Sequence, residues 1–282
     1  MNEKPWMMSA PALTLFGVLL LVPLCMTFFL SFNSFGFYTG IENTVSMENY
    51  AEVVSDSYFW EIFGRTFAIA LATTFFCALL GVPQAYILYR LSPAWRSIVV
   101  LIVIGPLLIS VVVRTLGWAI LLGNNGVINS ALQNWGLIER PIKMMYTSGG
   151  IVLALTHVFL PFMVLAVWAA LQRKDPAVEA AAESLGARPF TIFRRIVLPQ
   201  VIPGILSGSL IVFSMAASSF ATPAILGGRR VKVVATTVYD EFLNTLNWPL
   251  GAAIAMLLLA SVMVIMLAWN RLVERRYGEA LE

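Results

Sequence analysis

Six long apolar runs are the feature of this 282-residue sequence that most constrains its fold. A hydrocarbon core about 30 Å thick is crossed by about 20 residues of α-helix. Lipid offers no partners to backbone N–H and C=O groups, so only helices or closed barrels span it. The runs lack the alternation of apolar and polar residues that is typical of barrel strands. We therefore predict an all-α, polytopic membrane protein with spans at residues 11–32, 63–89, 97–122, 150–171, 201–226 and 250–270.

The composition agrees with this prediction and suggests an orientation. Hydrophobic residues make up 59% of the chain and charged residues only 12%, which excludes an ordinary water-soluble domain. Most of the 18 Lys and Arg residues fall in the loops on the side of the N-terminus, and such loops stay in the cytoplasm. We therefore predict an N-in, C-in topology. The net charge of +3 reflects this topology, and nothing in its distribution suggests nucleic-acid binding.

The termini and cysteines are consistent with one membrane domain over residues 1–282. The first apolar run is longer than the core of a cleaved signal and is followed by no small-x-small cleavage site, so we expect a membrane span there. Cys25 and Cys77 both lie inside predicted spans, which favours small packed residues over a disulfide framework. No stretch between spans is long enough for a separate soluble domain.

The loop at residues 172–199, between the fourth and fifth spans, is too long for a turn and is rich in helix-forming residues. We expect two short helices. Asp175 can cap the first, Pro176 fits its first position, and Gly186 can adopt the left-handed conformation that ends it. Pro189 is predicted to begin the second helix, and Pro199 to mark its junction with the fifth span.

The first of these helices has a shallow apolar face and an acidic one. Glu179 and Glu183 stand four residues apart, so they share a face. The small alanines favour insertion into a groove on a partner protein, although a helix lying on the inner leaflet is an alternative. The apolar face contains Val178, Ala181, Ala182 and Leu185.

This loop resembles the EAA loop of permease subunits from binding-protein-dependent ABC importers. Gly186, Ile196, Leu198 and Pro199 match the family spacing, whereas Ala180 stands where the family has glutamate and the acid comes one residue earlier, at Glu179. The resemblance implies a coupling helix seated in a cleft of a cytoplasmic ATPase. The coupling residues that it implies are Glu179, Ala181, Ala182, Glu183, Leu185 and Gly186.

The rest of the chain narrows the resemblance. The segments Arg114-Thr-Leu-Gly-Trp118, Leu121-Leu-Gly-Asn-Asn-Gly-Val-Ile-Asn129 and Thr222-Pro-Ala-Ile-Leu-Gly-Gly228 resemble the first permease of spermidine and putrescine importers. That branch also resembles permeases for opines, aminobutyrate-like amino acids and phosphonates, so the cargo stays open.

The resemblance also implies the fold, the partners and the location. It implies a type I ABC importer permease in the bacterial inner membrane, with a homologous second permease, two ATPase subunits and a periplasmic binding protein. The chain lacks the phosphate-binding loop that nucleotide hydrolysis requires, so we expect no catalytic residue and no cofactor in it, with ATP and Mg²⁺ bound by the ATPase.

Several residues are candidates for the translocation path. Among Lys, Arg, Asp and Glu, Arg114 is the one residue well inside a predicted span, where charge is costly; it is a gate or ligand, or else an interhelical anchor. His157 lines a pore or simply packs, and no carboxylates or cysteines accompany it to form a metal site. Small residues in the fifth span favour close packing, but the family implies that this span lines the path. The candidates are Arg114, Trp118, His157, Ser219 and Phe220.

Charges in the last outer loop provide candidates for binding-protein docking or, alternatively, are ordinary solvated groups. They are Arg229, Arg230, Asp240 and Glu241. A polyamine should prefer carboxylates along its route, yet no predicted span contains an acid, which favours an acidic or zwitterionic cargo. A secondary transporter is the alternative function, but such proteins more often carry intramembrane acids and inverted repeats.

Overall fold

The computed structural model describes residues 5–42, 44–173 and 176–277, most of which are helical. A short antiparallel ladder, which the sequence analysis did not predict, pairs β1 (Ser34–Gly36) with β2 (Gly40–Glu42) in the register Ser34 opposite Glu42. The helices are α1 (Pro5–Leu30), α2 (Glu48–Ser55), α3 (Ser57–Arg90), α4 (Pro93–Ile104), α5 (Val111–Leu122), α6 (Val127–Asn134), α7 (Ser148–Gln172), α8 (Pro176–Ser184), α9 (Pro189–Ile192), α10 (Leu198–Ala217), α11 (Val234–Leu243) and α12 (Trp248–Tyr277).

Within the described residues, six helical segments are long and apolar enough to cross a membrane, which confirms the predicted number of spans. The second span is longer than predicted: the 34 residues of α3 rise about 51 Å, more than the bilayer core requires. The segments are Ala10–Leu30, Ser57–Arg90, Val111–Asn134, Ser148–Gln172, Pro189–Ala217 and Trp248–Arg271.

The prediction of one unbroken helix for the third span, residues 97–122, is wrong. α4 ends at Ile104, a tighter 3₁₀ turn covers Gly105–Leu108, and Ile109 is extended before α5 begins. Pro106 accounts for the interruption, because its ring has no N–H to donate and clashes with the carbonyl four residues earlier. The long apolar run concealed a helix break.

The predicted fifth span, 201–226, is wrong at both ends. The helix begins earlier, because α9 continues through a π-helical turn at Phe193–Val197 into α10, so Pro199 does not separate a loop helix from the span. It then ends at Ala217, before a second π-helical turn at Pro223–Gly227. Pro223 cannot donate to the carbonyl of Ser219, which favours the break.

The chain divides into two compact units, Met1–Phe63 with Val234–Ser261, and Gly64–Val233 with Val262–Glu282. That residues 1–282 form a single permease domain stays a prediction. In the first unit, α2, α3, α11 and α12 enclose an apolar cluster, whereas α1 leaves most of its side chains exposed. The buried members of the cluster are Val53, Phe59, Ile62, Val234, Leu250 and Ile254.

The second unit is built around α7, the most buried of the six spans. α10 packs closely against it through two glycines. A β-carbon at Gly204 would lie 2.5 Å from that of Ala170, and one at Gly208 would lie 2.9 Å from the sulfur of Met163. The small residues of the fifth span therefore allow close helix packing, which is how membrane helices gain van der Waals contact.

Candidate coupling and translocation sites

The acidic face of α8 turns toward the end of α3. Arg90, the last residue of α3, places Nη1 2.9 Å from Oε2 of Glu179 and Nη2 3.1 Å from Oε1 of Glu183. Tyr86, one turn earlier, donates its hydroxyl to Oε2 of Glu179 at 3.3 Å, and its ring lies under the Arg90 guanidinium at 5.8 Å. Both predicted coupling acids are thus engaged within the chain.

The apolar face of α8 is left at the surface. Leu185 is 89% exposed, and Val178 and Ala181 are also exposed, whereas Ala182 is half-buried. An apolar strip that none of the described residues covers is typical of a protein interaction site.

Gly186 ends α8 as predicted. Its φ of +79° is in the left-handed region, where glycine has no steric penalty. Its N–H donates to the carbonyl of Glu183 at 2.9 Å, and the N–H of Ala187 donates to Ala182 at 3.0 Å, the bond pair of a Schellman motif. Pro176 is the first helical residue, as predicted, while the predicted cap Asp175 lies outside the described residues.

Two aromatic path candidates meet between α5 and α7. The indole N–H of Trp118 donates to Nδ1 of His157 at 3.2 Å, and the two rings cross edge to face with their centres 5.6 Å apart. His157 is exposed although it lies in the middle of the most buried span. A polar, exposed side chain at such a position is expected to face water or another protein and not lipid.

Arg114 lies one turn before Trp118 on α5. Its Nε and Nη1 are buried and find no hydrogen-bond partner among the residues that the structure describes. Since an unsatisfied charged donor in a low-dielectric interior is costly, a ligand, water or partner subunit would stabilise this group.

The remaining path candidates lie at the break in the fifth span. Ser219 and Phe220 follow the end of α10, and Phe220 is exposed. The hydroxyls of Thr115 and Thr222 are buried and lie 3.0 Å apart, so the segment that follows the break contacts α5 next to Arg114. Interrupted helices of this kind are tolerated in membrane proteins where they are covered by protein or line a cavity.

The four docking candidates divide between the two units. Arg229 and Arg230 are exposed, and the Arg230 guanidinium lies 5.5 Å above the ring of Tyr146. Asp240 and Glu241 belong to α11, where Asp240 accepts from Asn244 at 2.8 Å and Glu241 from Thr245 at 2.6 Å.

Sequence reasoning missed three residues that organise these regions. Arg90 and Tyr86 bind Glu179 of α8, and neither was among the predicted site residues. Asn129 is fully buried; its amide donates to the carbonyls of Gly123 and Ile142 at 3.0 and 3.1 Å and accepts from the N–H of Ile142 at 2.9 Å. Its place in the Asn-Asn-Gly-Val-Ile-Asn segment was a signal that could have identified it.

Comparisons with known proteins agree on the fold and the family. The sequence profile of the binding-protein-dependent transport system inner membrane component family matches residues 70–279. The spermidine/putrescine transport system permease protein PotB of Haemophilus influenzae is 30% identical over 235 residues, covering 82% of each chain. The inner membrane ABC transporter permease protein YdcU of Escherichia coli is 34% identical over 206 residues, covering 69% of this chain and 66% of YdcU.

A solved structure shows the same fold at lower identity. A chain of a bacterial ABC transporter involved in the import of the acidic polysaccharide alginate superposes with a TM-score of 0.80, at 19% identity and with 97% of both chains covered. The matches identify an importer permease and do not support the alternative of a secondary transporter. The chain belongs to the binding-protein-dependent transport system inner membrane component family, as a multi-pass permease subunit of an ABC importer in the bacterial inner membrane.

Proposed function

We propose that this permease converts closure of a partner ATPase dimer into movement of its membrane helices, with α8 as the contact. The observation that carries this proposal is the division of α8 into two faces. Glu179 and Glu183 bind Arg90 of the same chain, and Leu185 and Val178 are left exposed for a partner. The Schellman motif at Gly186 ends the helix next to Leu185, so the exposed apolar residues stay on one short segment.

The proposed assembly contains a homologous second permease, two ATPase subunits and a periplasmic binding protein. An N-in, C-in orientation would put α8 in the cytoplasm, beside the ATPase, and the loop with Arg229 and Arg230 outside, where a binding protein docks. ATP and Mg²⁺ belong to the ATPase in this scheme, and the permease itself is non-catalytic.

The proposed cargo is a small polar solute of the polyamine, opine or amino-acid class, passing Arg114, Trp118, His157, Ser219 and Phe220. The similarity to PotB favours a polyamine, because that relative is named for spermidine and putrescine. The cationic Arg114 favours a cargo that carries a carboxylate. Calorimetric titration of the cognate binding protein with putrescine, spermidine and glutamate separates these classes, and tight polyamine binding would exclude a requirement for an acidic cargo.

The coupling role is tested by Leu185→Glu. A carboxylate on the exposed strip should prevent docking into an apolar cleft, so the ATPase should no longer co-purify with the permease, and ATP hydrolysis stimulated by the binding protein should be lost. Leu137→Glu, at an exposed leucine of another loop, is the matched control and should retain both. Co-purification and stimulation that survive Leu185→Glu would contradict the proposal.

A further inference from the structure

Arg90 joins α8 to the end of α3. Its two terminal nitrogens are divided between two carboxylates that lie four residues apart on one face of α8. Tyr86 contacts two of these three side chains, by its hydroxyl to Glu179 and by its ring to the Arg90 guanidinium. The same ring packs on Phe193 with centres 5.0 Å apart, so the group also touches the turn that leads into α10.

The Arg90–Glu179 pair differs from an ordinary surface ion pair. The Glu179 side chain is only 7% exposed, whereas that of Glu183 is 51% exposed. An exposed pair contributes little, commonly less than about 1 kcal/mol, but a buried carboxylate that loses a cationic partner is less well compensated in a poorly solvated site. Loss of Arg90 should therefore weaken the attachment of Glu179, and of α8 with it, to the end of α3.

Helix electrostatics favour the same arrangement. Arg90 lies in the last turn of α3, where a cation complements the partial negative charge of the helix end. Glu179 lies in the first turn of α8, where an anion complements the partial positive charge. The planar guanidinium fork, which a lysine lacks, can bind both carboxylates at once.

We propose that Arg90 is a positioning residue that clasps α8 to α3, so that a displacement of α8 by the ATPase moves α3 with it. This inference rests on the proposed function of α8. It assigns Glu179 and Glu183 to the internal clasp and leaves the apolar strip with Val178 and Leu185 as the surface for the ATPase. α3 is one helix of 34 residues, with Pro83 inside it, so a shift of its last turn is passed along the same helix to a membrane span.

The first test measures coupling in the assembled transporter, reconstituted in lipid nanodiscs with MgATP as the probe. Arg90→Gln should leave co-purification of the ATPase and basal hydrolysis intact but lose the stimulation by the binding protein. The charge-swapped pair, Arg90→Glu with Glu179→Arg, should recover it in part, and Arg90→Lys should be intermediate. Arg140→Gln, which removes an exposed arginine from another loop, is the matched control and should match the wild type.

The second test measures the clasp itself. Spin labels at Ser184→Cys on α8 and Ile87→Cys on α3, both exposed, are introduced with Cys25 and Cys77 replaced by alanine. The distance distribution should be narrow and should stay the same when ATP and vanadate are added. Arg90→Gln should broaden it.

Two results would overturn this proposal. One is an Arg90→Gln variant with normal stimulation of ATP hydrolysis by the binding protein and a narrow distance distribution between the spin labels. The other is a loss of stimulation that the charge-swapped pair does not recover. Failure of the proposed function has a different signature, because the wild-type permease would then fail to retain the ATPase while the spin labels still report a clasp that depends on Arg90.

Discussion

Two regions of the second unit differ in whether their polar side chains find partners within the chain. At α8 the charged groups are satisfied within the chain, by Arg90 with Glu179 and Glu183, and the apolar side chains are left exposed. Between α5, α7 and the break in the fifth span, polar groups remain available instead: Arg114 lacks partners for two buried nitrogens among the described residues, and His157 is exposed.

The contrast distinguishes what each region can bind. An uncovered apolar strip without free charge suits a protein surface, where van der Waals contact and water release provide the affinity. Polar groups held in an apolar surrounding suit water or a polar solute, because electrostatic interactions are stronger where the dielectric is low. These properties fit a proposed coupling region at α8 and a proposed transport region around Arg114 and His157, both within one unit.

The largest expected effect is at the end of α8. Gly186→Val places a β-branched residue at φ +79°, where an L-residue costs roughly 1–2 kcal/mol relative to glycine. Apart from the adjoining residues, no described atom lies within 4 Å of the added β-carbon, so the penalty comes from the backbone conformation. The strip should be displaced and ATP-driven transport should collapse. Gly186→Asn, which tolerates this conformation, should retain most activity; full activity of the valine variant would remove α8 from the coupling mechanism.

The next effect tests the transport region. Arg114→Gln should leave assembly and basal ATP hydrolysis unchanged while uptake of the cargo identified by titration falls roughly tenfold, the equivalent of about 1.4 kcal/mol. Arg114→Lys should lose less, since it keeps the charge. Uptake in inside-out and right-side-out vesicles measures the change, and unaltered uptake would indicate an interhelical anchor.

A smaller effect is expected where the transport region satisfies its polar groups. Thr222→Val removes the buried hydroxyl contact with Thr115, but Thr115 keeps its bond to the carbonyl of Val111 at 2.8 Å. The loss should be about 1 kcal/mol of stability, read as a lower thermal midpoint in detergent, with Thr222→Ser as control. If this variant impaired uptake as strongly as Arg114→Gln, the distinction between satisfied and unsatisfied groups would fail.

The smallest effect lies outside both regions, at an acid whose neighbours repel it. Burial raises the pKa of Glu52 on α2 above 4.5, and the charges of Glu241, Glu48 and Asp56 add to the shift. The folded chain then binds this proton more readily than the unfolded chain, so stability decreases as the pH rises through the raised pKa. Glu52→Gln should slightly raise the thermal midpoint at pH 7.5, and this gain should disappear near pH 4.

The exposed acid Glu139→Gln, in the other unit, is the control for that experiment. An equal gain for both variants, or a gain for Glu52→Gln that persists at low pH, would show that the burial and charge repulsion of Glu52 do not cause the higher thermal midpoint. The acids of α8 differ because Arg90 compensates them.

Much of the fold could be predicted from local pattern. The number of spans followed from apolar length, and the end of α8 followed from Gly186, since a left-handed residue after a helix favours glycine whatever surrounds it. The breaks near Pro106 and Pro223 were missed because hydropathy is insensitive to backbone hydrogen bonding. The prolines themselves were a local signal for those breaks.

The sequence by itself determined the membrane class, the six spans, the permease family and the turn at Gly186, because each depends on residue type and short spacing. Only the tertiary structure decided which face of α8 is free. Arg90 and Glu179 are 89 residues apart along the chain, and their meeting depends on how α3 and α8 pack. The same is true of Arg114, because whether a charge has a partner depends on every segment that surrounds it.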